Sequence, residues 1–122
     1  MSLRMKKNFL FAPLVLSMVF FAGLARGDSM LMIGGGGATC SVFLEESGAN
    51  KMWEFLYHSW AEGYMSAINV RNTATNSDIN LFVATLQGRQ QIDFLKNDCK
   101  DNPDQTFVFA VMNLYNELKR RQ

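Results

Sequence analysis

The sequence predicts an all-α fold, a small single-domain bundle of four to five helices held by one disulfide. Three observations carry this expectation. From Cys40 onward the apolar residues recur at three- and four-residue spacing rather than alternating. Polar, turn-forming stretches such as "RNTATNS" at Arg71 to Ser77 and "NPDQ" at Asn102 to Gln105 divide these segments. The two cysteines of the chain, Cys40 and Cys99, follow an N-terminus that has the form of an export signal.

That N-terminus opens with Arg4, Lys6 and Lys7, continues as the uncharged run "FLFAPLVLSMVFFAG" from Phe9 to Gly23, and ends on the small residues Ala25 and Gly27. This order predicts a signal peptide over residues 1–27, cut before Asp28, and a periplasmic or secreted mature form. The run is shorter than the roughly 20 residues that cross hydrocarbon, and Pro13 interrupts it, so the mature form is not expected to span a membrane. Losing Arg4, Lys6, Lys7 and Arg26 leaves 8 basic residues against 11 acidic ones, a formal −3 where the whole chain carries +1. No basic stripe remains to follow a phosphate backbone, and nucleic acid is not an expected partner. In an oxidising compartment the two cysteines are expected to pair. Closing so long a loop contributes roughly 4 kcal/mol by chain entropy, a large share of the net stability of a small domain. A metal or redox pair is the competing reading, but there is no CxxC, and His58 is the one histidine.

Residues 28–39 read as a flexible Gly-rich segment. The four glycines Gly34 to Gly37 hold no regular element cheaply, and they lack the GK[ST] ending of a phosphate-binding loop. The apolar residues before them, Met30, Leu31, Met32 and Ile33, either pack back on the domain or touch a partner. The helical domain occupies 40–122. A short helix is expected over "CSVFLEES", ended by Gly48. A longer one should run from about Asn50, its cap, to Val70, with Met52, Trp53, Leu56, Trp60, Tyr64, Ala67 and Ile68 on its apolar face and Phe55 widening it. "DINLFVATL", Asp78 to Leu86, is read as helical with Asp78 capping, although its β-branched and aromatic content also suits an extended segment. After Gly88, the residues Ile92, Leu95 and Cys99 mark one face of a further helix. "NPDQ" then predicts a helix start, with Asn102 as cap, Pro103 first and Gln105 in the capping-box position. Phe107, Val108, Val111, Leu114, Tyr115 and Leu118 form its buried face, and Lys119, Arg120 and Arg121 its basic end.

Little of this carries chemistry. His58 has no nucleophile motif around it and reads as an exposed or half-buried helix residue. Glu54 and Glu62 are the best carboxylate pair, but eight helical residues span roughly 12 Å, beyond the roughly 5 to 9.5 Å that glycosidases use. Both are read as solvated. Trp53, Trp60 and Tyr64 read as core at helical spacing, with an aromatic ligand platform as the alternative. Gly63 costs about 1 kcal/mol in a helix relative to alanine. It reads as a close helix–helix contact kept small by Ala61, Ser66 and Ala67, within the chain or between subunits. No catalytic residue, metal or cofactor is expected.

"TCSVFL" at Thr39 to Leu44, "WAEGYMSAIN" at Trp60 to Asn69 and "FLKNDCKDNP" at Phe94 to Pro103 together resemble the HdeA-like family of small exported acid-stress chaperones of Gram-negative bacteria. A larger set of uncharacterised exported proteobacterial proteins is similar too. So are small periplasmic immunity proteins, through a Gly-Tyr-Met-like helix and two cysteines. The resemblance covers roughly Thr39 to Leu118. It implies a compact helical domain with Cys40 joined to Cys99 that acts by binding proteins, allows a homodimer, and holds unfolded clients when acid loosens it. Glu45, Glu46, Glu54, Glu62 and Asp93 would lose charge between roughly pH 5 and 3. The expected function is an exported protein-binding factor, in one form an acid-activated holdase. The alternatives are an immunity or inhibitor protein with one tight partner, and an enzyme acting on envelope polysaccharide through Glu54 and Glu62.

Overall fold

A computed structural model describes residues 33–122. The expected leader and the residues Met30, Leu31 and Met32 lie outside them. The described residues form four α-helices: α1 (Cys40–Ala49), α2 (Lys51–Thr73), α3 (Arg89–Asp101) and α4 (Phe107–Arg120). They pack as an all-α bundle with a Cys40–Cys99 disulfide. A 3-10 turn, Gly34–Gly37, precedes them. None of these helices is long and apolar enough to cross a membrane.

The core is built around α4, whose Phe107, Val108, Ala110, Val111, Leu114, Tyr115 and Leu118 are buried. Their three- and four-residue spacing is the one the sequence displays. Phe107 meets Phe43 of α1 at 4.5 Å and Tyr57 of α2 at 5.0 Å between ring centroids, and these two rings lie 5.0 Å from each other. Leu95 and Cys99 bring α3 to the same core.

The disulfide sits where the two halves of the chain are joined by backbone. Cys40 N–H donates to the Gln105 carbonyl at 2.8 Å and Ser41 N–H to the Pro103 carbonyl at 2.9 Å, while Phe107 N–H donates back to the Ala38 carbonyl at 2.8 Å. These bonds satisfy first-turn donors of α1 and α4 that have no partner within their own helices. "NPDQ" therefore does not start α4, which begins at Phe107 after Thr106. Asn102 closes α3 instead, its backbone N–H and its side-chain amide both donating to the Asp98 carbonyl. The Gln105 side chain turns to Asp98 Oδ2 at 2.7 Å rather than back along α4.

Residues 78–86 are not helical. Ile79, Leu81 and Val83 are half-buried while Asn80 and Phe82 are exposed, so the segment alternates as an extended chain does. Side-chain amides replace the hydrogen bonds a helix would have supplied. Asn69 Nδ2 donates to the Ile79 carbonyl at 2.6 Å and its Oδ1 accepts from Ile79 N–H; Gln91 Nε2 donates to the carbonyls of Leu81 and Leu86. Gly88, at φ +47°, makes the turn into α3.

The largest departure from expectation is the roll of α2. Its buried residues are Glu54, Tyr57, His58, Ala61 and Met65. The apolar stripe expected to face inward lies to the side and outward: Met52 is 60% exposed, Trp53 44%, Phe55 63% and Leu56 48%. Trp60 and Tyr64 are half-buried, and Ala67 is exposed. Gly63 is exposed as well, and a Cβ added there meets nothing within 4 Å. Among the described residues the close helix contact expected at Gly63 does not occur, because Gly63 lies on the side of α2 away from the other helices.

The glycine that admits a close approach is Gly36, in the turn read as a free tether. A Cβ on Gly36 would lie 2.0 Å from the Trp60 ring, and one on Gly35 3.0 Å from the Tyr57 ring. Gly34–Gly37 is packed because aromatic rings of α2 fill the space that side chains would need. Gly36→Ala is accordingly expected to destabilise the fold by about 1–3 kcal/mol through overpacking. Gly63→Ala should stabilise it by about 0.5–1 kcal/mol. Urea unfolding of the two variants checks both signs.

Candidate functional site

Rolling α2 outward leaves a groove of about 450 Å³ between its first half, α1 and the glycine turn. Trp53, Leu56, Tyr57 and Trp60 form one wall, one helical turn apart in pairs, with Val42 and Glu46 of α1 and Gly34, Gly35 and Ala38 completing it. Trp60 is fixed from two sides. Its ring stacks on Tyr64, 5.3 Å between centroids and 13° from parallel, and its Nε1–H donates to the Ile33 carbonyl at 3.2 Å. The one carboxylate in the lining is already engaged, since Tyr57 Oη donates to Glu46 Oε2 at 2.6 Å. Burial, and then the Glu46 carboxylate, push the Tyr57 phenol above its ordinary value, so it stays a donor at neutral pH. The groove thus offers aromatic and aliphatic surface with one carboxylate, Glu46, in its wall, hydrogen-bonded by Tyr57.

On the buried side of α2 lies the feature that sets this orientation. Glu54 is 5% exposed. Its carboxylate receives Lys96 of α3 in a short ion pair, Arg89 Nη1 of α3 at 2.7 Å, and Lys51 of its own helix at 3.3 Å. Arg89 is shared with Asp93 at 3.4 Å. The sequence reading of Glu54 as a solvated charge is corrected: a buried carboxylate needs partners, and α3 supplies two. His58, expected exposed or half-buried, is buried as well. Its Nε2 lies 3.4 Å from Gln91 Oε1 and its Nδ1 3.9 Å from Glu62 Oε1.

Glu54 and Glu62 do not face one cleft. Glu54 is enclosed by cations, while Glu62, half exposed, lines a second hollow of about 260 Å³ with Met65, Ser66, Leu81, Phe82 and Gln91. Two of the polar groups of that hollow are engaged: Ser66 Oγ donates to the Glu62 carbonyl at 2.7 Å, and Gln91 Nε2 holds the 78–86 segment. Among the described residues no group of three or more His, Cys, Asp or Glu is arranged to hold a metal. Of the residues singled out from sequence, the structure brings Trp53 and Trp60 to the groove and places Ile33 at its rim, 84% exposed. Tyr64 backs Trp60, and Gly63 and Ala67 lie elsewhere on α2. Val42, Glu46, Leu56 and Tyr57 were not anticipated as one surface, since no local signal links α1 to this side of α2.

The cations around Glu54 hold its carboxyl below the usual range; the Lys96 hydrogen bond is the largest cause, and burial opposes it. A carboxyl lowered on folding stabilises the fold above its unfolded value of about 4.3. That contribution is lost as pH falls through the lower, folded value. On acidification below about pH 4, the wild type is expected to lose stability more steeply than Glu54→Gln. The urea midpoint followed from pH 7 to pH 3 measures it, and parallel curves would mean that the carboxylate is solvated.

Comparison with protein-family models, with curated proteins and with solved structures finds no match to this chain, so the geometry above stands as the basis for its function.

Proposed function

We propose that this chain is an exported protein-binding factor that takes an apolar segment of a protein partner into the groove between α1, α2 and the glycine turn. The observation that carries this reading is the outward apolar stripe of α2. Met52, Trp53, Phe55 and Leu56 are exposed together, and exposed Val42 adjoins them on α1. Contiguous apolar surface of this kind costs solubility and is retained where it is covered by something. Trp and Tyr supply large contact area with few rotatable bonds, the composition found at binding hot spots. Export rests on the leader, and the resemblance to exported acid-stress chaperones and immunity proteins points to the same class of activity.

A second reading, an acid-activated holdase, is supported by Glu54. Protonating this carboxylate removes the charge that binds Lys96 and Arg89, and with it one tie between α2 and α3. Further apolar surface would then open, while the disulfide keeps α1 joined to α3.

A permanently unfolded test protein, reduced and carboxymethylated, separates the two readings. The first expects saturable binding at pH 7 that Leu56→Glu weakens by about tenfold or more, while Val70→Glu, exposed and away from the groove, leaves it unchanged. Binding that begins only near pH 3, with suppression of client aggregation there, would favour the holdase. No binding at either pH would remove both.

A further inference from the structure

We propose that the partner segment taken by the groove presents an arginine, its guanidinium lying over the Trp53 indole and pairing with the Glu46 carboxylate. This rests on the protein-binding reading above and specifies the chemistry of the segment.

Glu46 points to a cation. It is half-buried on α1 and lines the groove. Tyr57 Oη donates to its Oε2 at 2.6 Å, and among the described residues no group donates to its Oε1. The ion pairs among these residues engage Glu54, Glu62, Asp93 and Glu117, and none engages Glu46. Lys51, the nearest basic residue in sequence, turns to Glu54 instead. The lining holds no lysine, arginine or histidine. The carboxylate thus faces the groove with its charge answered by one phenol and by solvent. A purely apolar segment laid over it would remove that solvent and leave the second oxygen without a donor, which opposes binding. A segment carrying a cation replaces the solvent with a charge-assisted hydrogen bond.

The rings narrow the choice of cation. Tyr57 packs its ring on Phe43 and Phe107, and Trp60 is stacked on Tyr64, whereas among the described residues no ring stacks on Trp53. Trp53 is exposed and has indole face to offer. It stands one turn before Tyr57 on α2, at the i,i+4 spacing that brings side chains together, and Tyr57 reaches Glu46. Indole face and carboxylate are thus neighbours on facing walls of one groove. A cation is drawn to an aromatic face, most strongly to that of tryptophan. Arginine fits better than lysine. Its guanidinium is planar and weakly hydrated, stacks flat on a ring and donates in parallel to a carboxylate, while an ammonium is compact and strongly hydrated. A carboxylate has about four lone-pair sites, so the Tyr57 hydrogen bond leaves room for both donors. Leu56, Val42 and Ala38 then take the methylene stem and the apolar neighbours of the arginine.

Tryptophan fluorescence follows binding, because both tryptophans of the sequence line the groove. The protein, produced with its own leader and purified as exported, is titrated with a short blocked peptide in which leucines flank one arginine, and with its citrulline and lysine analogues. Citrulline keeps the length and planarity of arginine and removes the charge. The arginine peptide should bind about tenfold more tightly than the citrulline peptide, with the lysine peptide between them. Glu46→Gln, whose amide oxygen still accepts from Tyr57, should bring the preference for arginine over citrulline down to about twofold or less. Trp53→Leu should lower it about threefold. Glu45→Gln, exposed and outside the lining, should leave it unchanged. Far-UV circular dichroism confirms that each variant is folded. Equal binding of the arginine and citrulline peptides overturns the proposal and leaves the apolar-segment reading in place, as does a preference that Glu46→Gln does not alter. If the unfolded test protein binds and the arginine peptide does not, the proposal falls alone. If neither binds, the protein-binding reading falls with it.

Discussion

A single buried carboxylate decides how this bundle meets its surroundings. Glu54 on α2 is enclosed by Lys96 and Arg89 of α3, with Lys51 reaching it from the preceding turn. A carboxylate covered in this way needs partners for its lost water, and the cations that cover it are those partners. The alternative roll would bury Met52, Phe55 and Leu56 and return Glu54 to water. It would also expose Tyr57, Ala61 and Met65, which are buried now. The ion cluster, with the ring packing of Tyr57 against Phe43 and Phe107, holds the other one. The apolar face of α2 is left outward, and the groove follows from it.

The rest of the molecule supplies a rigid backing for this arrangement. Backbone hydrogen bonds between Ala38–Ser41 and Pro103–Phe107 tie the start of α1 to the start of α4, and Cys40–Cys99 crosslinks the same junction to α3. With a sequence separation of 59 residues, the disulfide restricts a large part of the unfolded chain, a contribution of about 4 kcal/mol in the chain-entropy picture. Farther along α2, Asn69 accepts from Tyr115 Oη at 2.9 Å and Asn72 donates to the same oxygen at 3.1 Å, joining α2 to α4. The glycine turn completes the groove because Gly36 lets the Trp60 indole lie against backbone.

What could be read from the sequence was local or two-valued. The amphipathic spacing of α4 named its buried face correctly; of Ile92, Leu95 and Cys99 expected inward on α3, Leu95 and Cys99 are buried while Ile92 is half-buried and Gln91 takes the third buried position. Asn50 caps α2 as its position suggested, its Oδ1 accepting from Met52 N–H at 2.8 Å. With two cysteines there was one pairing to form. Periodicity on α2 identified an apolar stripe but could not say that the stripe stays uncovered, because the residues that decide it, Arg89 and Lys96, lie 35 and 42 positions away from Glu54. "NPDQ" has the composition of a helix start, yet its carbonyls satisfy α1, a long-range use that no local pattern encodes. At 78–86 the alternation of Ile79, Leu81 and Val83 was present in the sequence. Its meaning depended on Asn69 and Gln91 supplying the hydrogen bonds. The glycines were legible as glycines; their reason, two rings of α2, was not.

The central claim, that the Glu54 ion cluster fixes the roll of α2, is tested most directly by a double-mutant cycle. Unfolding free energies of the wild type, Glu54→Gln, Lys96→Gln and the double variant at neutral pH give the coupling between the two side chains. A buried, mutually dependent pair should show a coupling of about 1 kcal/mol or more. Effects that add to within about 0.5 kcal/mol would contradict the account, showing that Glu54 and Lys96 do not depend on one another.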